Sequence, residues 1–244
     1  MKVSITCPTC EKENVPSEIH SAVVDISDDG HYEFKCPNGH TSVTHLQLHG
    51  FEILFDIGAE AIIDGYYREA ISSFTSALER FYEFFIKVVC ASKGHDWNTI
   101  QELWKSVSNQ SERQLGAYMF LYLQETGKNP PLLSDKKVQL RNSVIHKGKL
   151  SNKEQAIEYG QNVLDVIRPT LRMLKTDYIE GIHTTMTNHM SNMNKISDKG
   201  KRKTVIWLLT IVSIAYGEPG HDLRDLIDML VEGRQGMSIK VTQV

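Results

Sequence analysis

The sequence predicts a mostly α-helical protein, an antiparallel helical bundle preceded by a small β unit at its N-terminus. Three observations predict it. From Tyr67 onward, apolar and aromatic residues recur at alternating four- and three-residue spacing, the period of a helix with one buried face. Before residue 46 the apolar residues alternate with polar ones instead, the period of a half-buried strand. The 244 residues are 41% hydrophobic and 23% charged, near the globular average and rich enough to bury a core. With 27 basic against 30 acidic residues the net charge is −3, which excludes a uniformly basic coat and sends the search for polyanion contacts to local clusters.

Three of the four cysteines fall in the first 40 residues, as Cys7-Pro-Thr-Cys10 and Cys36-Pro-Asn-Gly-His40. Two short turns with two donors each are a metal-site spacing, and thiolates with an imidazole are donors that zinc prefers. His31 and His45 stand near enough in sequence to compete with His40 for the fourth place. Between the turns, Ala22, Val24 and Ile26, then Tyr32 and Phe34, alternate on either side of Asp28-Asp29-Gly30, a hairpin signal. Over residues 3 to 45 this arrangement resembles a zinc ribbon. Four protein ligands close a zinc site, so the ion is expected to be structural, held by Cys7, Cys10, Cys36 and His40.

Tyr67, Ile71, Phe74, Leu78, Phe81, Phe85 and Val88 place one face of a helix that runs to about Ser92, where Lys93-Gly94 ends it. Further helices are expected at 98–107, 112–126, 136–145 and 153–178, with Pro130-Pro131 separating the second from the third. Thr184 to Lys203 reads as a linker. Helices over 203–216 and 222–232 follow, split by Gly217-Glu218-Pro219-Gly220. The apolar run Val205–Tyr216 is 12 residues, against about 20 for a membrane-spanning helix, and reads as a buried helix. MKVSITCPTC lacks the apolar stretch of a secretory signal, so a cytoplasmic location is expected, with thiols reduced. The implied divisions are 1–48, 50–180 and 181–244. No internal repeat, phosphate-binding loop or dinucleotide fingerprint is present.

The segment Lys136–Lys149 holds Lys136, Lys137, Arg141, Lys147 and Lys149 with no acidic residue, a cationic site of the kind that attracts phosphate. On a helix Asn142 and His146 share a face, while Arg141 stands about 140° from His146. An imidazole that exchanges a proton near neutrality and a guanidinium that grips phosphate bidentately can together act on a ribose 2′-hydroxyl and its phosphate. A second basic cluster, Lys195, Lys199, Lys201, Arg202 and Lys203, reads as a solvated linker. Cys90, among Val88, Val89 and Ala91, reads as a small buried hydrophobe.

A helical body carrying Arg-x4-His, with Asn directly after the Arg, resembles the HEPN superfamily over about residues 52 to 180. The resemblance implies a metal-independent endoribonuclease, common among toxins and phage-defence effectors, in which two copies of the motif meet across a homodimer interface. Arg141 and His146 match its two motif positions and Asn142 the polar position after the Arg. Glu83 and Lys87 resemble an accessory Glu-x3-Lys element. Lys136, Lys137, Lys147 and Lys149 are then the expected RNA contacts, with no catalytic metal, and a toxic nuclease implies an activator or neutralising partner. Two other readings stay open: a non-catalytic HEPN-like scaffold, and a zinc-ribbon nucleic-acid-binding regulator.

Overall fold

The computed structural model describes residues 1–16, 21–27, 29–193, 202–206, 208–217 and 220–241. Asp28, Glu218, Pro219 and the cluster residues Lys195, Lys199 and Lys201 lie outside them. Among the described residues the chain is mostly helical, with a small β region at the N-terminus. The elements are β1 (Lys2–Thr6), α1 (Pro8–Lys12), β2 (Ser21–Asp25), β3 (His31–Lys35), β4 (Thr41–Leu46), α2 (Gly50–Ile63), α3 (Tyr67–Ser92), α4 (Trp97–Val107), α5 (Ser111–Thr126), α6 (Asp135–Lys147), α7 (Lys153–Asp177), α8 (Ile179–Met193), β5 (Arg202–Ile206) and α9 (Leu223–Val241). They form two compact units, residues 1–49 with 186–209, and 50–185 with 210–244. The division therefore differs from the expected one: residues 181–244 are not a separate extension but are shared between the units.

In the first unit β1 pairs antiparallel with β2, from Lys2↔Asp25 to Thr6↔Ser21. β3 pairs antiparallel with β4, from His31↔His45 to Lys35↔Thr41. The expected hairpin of β2 with β3 does not form. Their connection closes on itself, with Gly30 donating to the Ser27 carbonyl at 3.1 Å and Asp29 accepting from the His31 N–H at 3.1 Å, while the tight Cys36–His40 turn joins β3 to β4 instead. The alternation was a sound sign of strands all the same: Val3, Ile5, Tyr32 and Leu46 bury together, with Ala22, Val24 and Phe34 packed against them.

Two expectations downstream of residue 180 are corrected. Thr184–Met193 is not a linker but continues α8. The helix expected over 203–216 does not form either: β5 adds to β4 in parallel, from Ser42↔Arg202 to Leu46↔Ile206, and residues 208–217 carry no helix or strand. Thr204, Val205, Ile206, Thr210, Ile211, Val212 and Ile214 are β-branched, stiff at χ1 and suited to extended backbone.

The second unit is built around α3, whose stripe Ile71, Phe74, Leu78, Phe81, Phe85 and Val88 is buried throughout. α2, a helix of its own before Asp64-Gly65-Tyr66, was not distinguished in the sequence pattern; it lays Phe51 against Phe81 and Phe84 and Phe55 against Phe74. Phe74 fits because glycines face it from both sides. A Cβ on Gly58 of α2 would come within 2.6 Å of its ring, and one on Gly160 of α7 within 2.6 Å of the ring and 2.5 Å of Leu223. The helices start and stop where the side chains dictate: Asp96 caps α4 through the Thr99 N–H at 2.9 Å, Asn152 and Gln155 form a capping box at the start of α7, and Gly127 and Gly148 end α5 and α6 in left-handed turns. The irregular segment 210–216 is fastened to α2 by two carboxylates one turn apart, Asp56 accepting from Ile211 N–H at 3.0 Å and Glu52, fully buried, from Ile214 N–H at 2.9 Å. Lys175 of α7 donates to the carbonyls of Ser213 and Tyr216.

Candidate metal centre and motif site

β1 delivers Cys7 to the start of α1, whose first turn places Cys10 beside it. The β3–β4 turn brings Cys36 and His40 to the same point, with Cys36 N–H donating to the His40 carbonyl at 3.0 Å. The four ligand atoms lie within 4.8 Å of one another. Cys10 Sγ stands 3.7 Å from Cys36 Sγ, and His40 Nδ1 stands 3.3, 3.7 and 3.9 Å from the sulfurs of Cys10, Cys36 and Cys7. With zinc–sulfur bonds of about 2.3 Å and zinc–nitrogen bonds of about 2.0–2.1 Å, tetrahedral geometry puts sulfurs about 3.8 Å apart and sulfur and nitrogen about 3.5 Å apart. The cluster can hold a metal ion such as zinc. The three sulfurs are buried, and Asn38 Nδ2 donates to Cys10 Sγ at 3.3 Å, a second-layer contact that offsets thiolate charge. His31 and His45, the competing candidates, instead pair with each other across β3 and β4, ring centroids 5.1 Å apart.

The motif residues lie on α6, which begins after Ser134 and stops at Gly148. Val144 is buried, while Val138, Leu140 and Ile145 are half-buried, so one side of the helix faces the core. Asn142 and His146 lie together on the exposed side, near the C-terminal end. Arg141 turns the other way, as the 140° separation requires. It is half-buried and lines a cavity of about 220 Å³ with Glu79 and Tyr82 of α3 and Tyr159 of α7. Among the described residues, no hydrogen bond joins Arg141, Asn142 and His146 within one chain.

The cations divide. Lys136, Lys147 and Lys149 are exposed. Lys137 is buried, and its Nζ pairs with Glu158 at 2.6 Å, so its charge is taken up inside the fold instead of being presented to a polyanion. Glu83 and Lys87 pair with each other on α3, and Arg80 Nη1 reaches Glu83 at 2.6 Å. Lys87 lies 5.7 Å from the Trp104 ring centroid and lines a different cavity, of about 440 Å³, with Cys90 and Trp104. Cys90 is half-buried there.

The acid that faces Arg141 is Glu79, one turn before Glu83. Burial pushes its carboxyl up, against the charges of Arg141 and Arg80 and a hydrogen bond from Ser111. Burial also holds the Tyr82 phenol far above its ordinary value, despite Arg141. The sequence carries no spacing signal for Glu79, because its relation to Arg141 is made only when α6 packs on α3. Comparison of the chain with models of protein families, with curated proteins and with solved structures finds no match in any of the three.

Proposed function

We propose that this protein is a metal-independent endoribonuclease of HEPN type, a homodimer whose N-terminal unit is held by a structural zinc. The observation that carries the reading is the exposed Asn142–His146 face at the C-terminal end of α6, with Lys147 and Lys149 exposed beside it, Lys136 exposed at the other end of the helix and Arg141 turned to the cavity. Histidine gives and takes protons near neutral pH, so His146 serves as base toward the 2′-hydroxyl or as acid toward the leaving 5′-oxygen. Arg141 neutralises the charge that builds on the phosphate, and Asn142 orients the pair. The product is a 2′,3′-cyclic phosphate. In-line attack needs a nucleotide free of A-form geometry, so the substrate is single-stranded or looped RNA.

On one helix Arg141 and His146 diverge, which supports a site shared between two copies, as the HEPN resemblance implies. The same resemblance supports a toxin-like role in antiviral defence, kept silent by an activator requirement or a neutralising partner. In the N-terminal unit the closed Cys3His set, with its near-tetrahedral edges, supports zinc as a structural ion. Glu83 and Lys87, engaged with each other and with Arg80, stiffen α3 in this reading. Induced expression in bacterial cells tests the function: wild type is expected to arrest growth and leave RNA fragments with cyclic-phosphate ends, and His146→Ala to do neither. Equal arrest by both would overturn the assignment of His146.

A further inference from the structure

We propose that the cavity beside Arg141 receives the base of the nucleotide being cleaved and selects guanine, with Glu79 accepting from its Watson–Crick edge. This rests on the endoribonuclease reading. The cavity, about 220 Å³, has the volume of about seven liquid waters, which suits one planar base and is small for a nucleotide. Its walls are Leu115, Tyr82 and Tyr159, and its charged groups are Glu79, Glu112, Asp135 and Arg141. Three carboxylates against one guanidinium disfavour entry of a phosphate and favour a neutral group rich in N–H donors. An unpaired base is such a group, and proteins that read single-stranded RNA bind the Watson–Crick edges of splayed bases.

Guanine fits this donor set best. An ionised carboxylate only accepts, through two oxygens side by side. Guanine alone among the four bases presents two adjacent donors, N1–H and the N2 amino group, in the matching parallel arrangement. Adenine and cytosine present one donor beside an acceptor, and uracil one donor between two acceptors. Guanine O6 then faces the Tyr82 hydroxyl, which stands near Glu79 and stays protonated. Ser111 lines the cavity beside Glu79. Arg141, half-buried in the same wall, is left to meet the phosphate outside.

The test uses full-length, zinc-loaded protein and single-stranded 2′-O-methyl oligonucleotides, which lack the attacking hydroxyl, each carrying one ribonucleotide: G, A, C, U or inosine. Wild type is expected to cut at G at least about 10-fold faster than at A, C or U. Inosine, without the N2 amino group, should fall between, and Glu79→Gln should bring the G rate down to that of the other bases. Rates within about threefold at all four bases, inosine equal to G, or a G preference kept in Glu79→Gln would each overturn the base pocket while leaving the nuclease intact. If wild type cuts none of them, the pocket is judged instead by calorimetric titration with 3′-GMP and 3′-AMP. Binding of 3′-GMP alone, lost in Glu79→Gln, would uphold the pocket, and no binding would overturn it.

Discussion

Arg141 shows how one residue's surroundings decide its use. A guanidinium cannot shed its charge, and across the cavity that Arg141 lines that charge favours the ionised form of Glu79. Its position on α6 turns it to the cavity and leaves Asn142 and His146 on the exposed face. Residue types and spacing made the clustering of Cys7, Cys10, Cys36 and His40 legible, because two Cys-Pro turns with a second donor each are a local pattern. Glu79 was not legible, and neither was the burial of Lys137 against Glu158, since both depend on contacts between residues distant in sequence. Gly160 belongs to the same class. Gly160→Ala is expected to force its methyl into Phe74 and Leu223, lowering stability by about 1–3 kcal/mol, measured by urea unfolding. A variant as stable as wild type would mean that Phe74 yields freely.

At the scale of elements, helices with a sustained apolar stripe were legible almost to the residue, α3 and α7 above all. The stretch after α8 was not. A short β-branched apolar run suits a buried helix or a strand equally by periodicity, and only the free edge of β4 decides for β5. The irregular segment beyond it depends on Glu52 and Asp56. Burial lifts the Asp56 carboxyl to about 7, opposed by the Ile211 N–H and reinforced by Glu52. In the unfolded chain an aspartate titrates near 3.8. Between those values the folded state holds the extra proton, so Asp56 makes stability fall as pH rises from about 4 to about 7, and contributes no slope above that. Asp56→Asn keeps an acceptor for Ile211 but cannot ionise. It is expected to flatten the fall and to gain up to roughly 4 kcal/mol at pH 8, measured by denaturant unfolding across the pH range. An unchanged slope would show that another group sets it.

Across the whole molecule the two units rest on different physics. The second buries a broad apolar core, whereas the first has a small one, Val3, Ile5, Tyr32 and Leu46 with their neighbours, and under the proposed structural zinc it draws on that ion for the rest. Removing the metal with a zinc chelator, or replacing Cys36 with Ser, is expected to expose residues 1–49 to protease while most of the helical circular dichroism survives. Protection of that segment without metal would contradict a structural role. Among the described residues no helix is long and apolar enough to cross a membrane, in keeping with the short apolar runs of the sequence. The order of β region and helical body was readable from the change of period near residue 50, but the return of residues 186–209 to the first unit was not, because no local pattern records which sheet edge a late strand will join.

The central claim, cleavage of RNA by transesterification through His146, is tested most directly by incubating end-labelled cellular RNA with purified wild type and His146→Ala in magnesium-free buffer and identifying the new ends. Wild type is expected to cut and leave 2′,3′-cyclic phosphates, and His146→Ala to lose at least about 100-fold in rate. Cleavage by both proteins at the same rate, or ends carrying 5′-phosphate and 3′-hydroxyl, would contradict it.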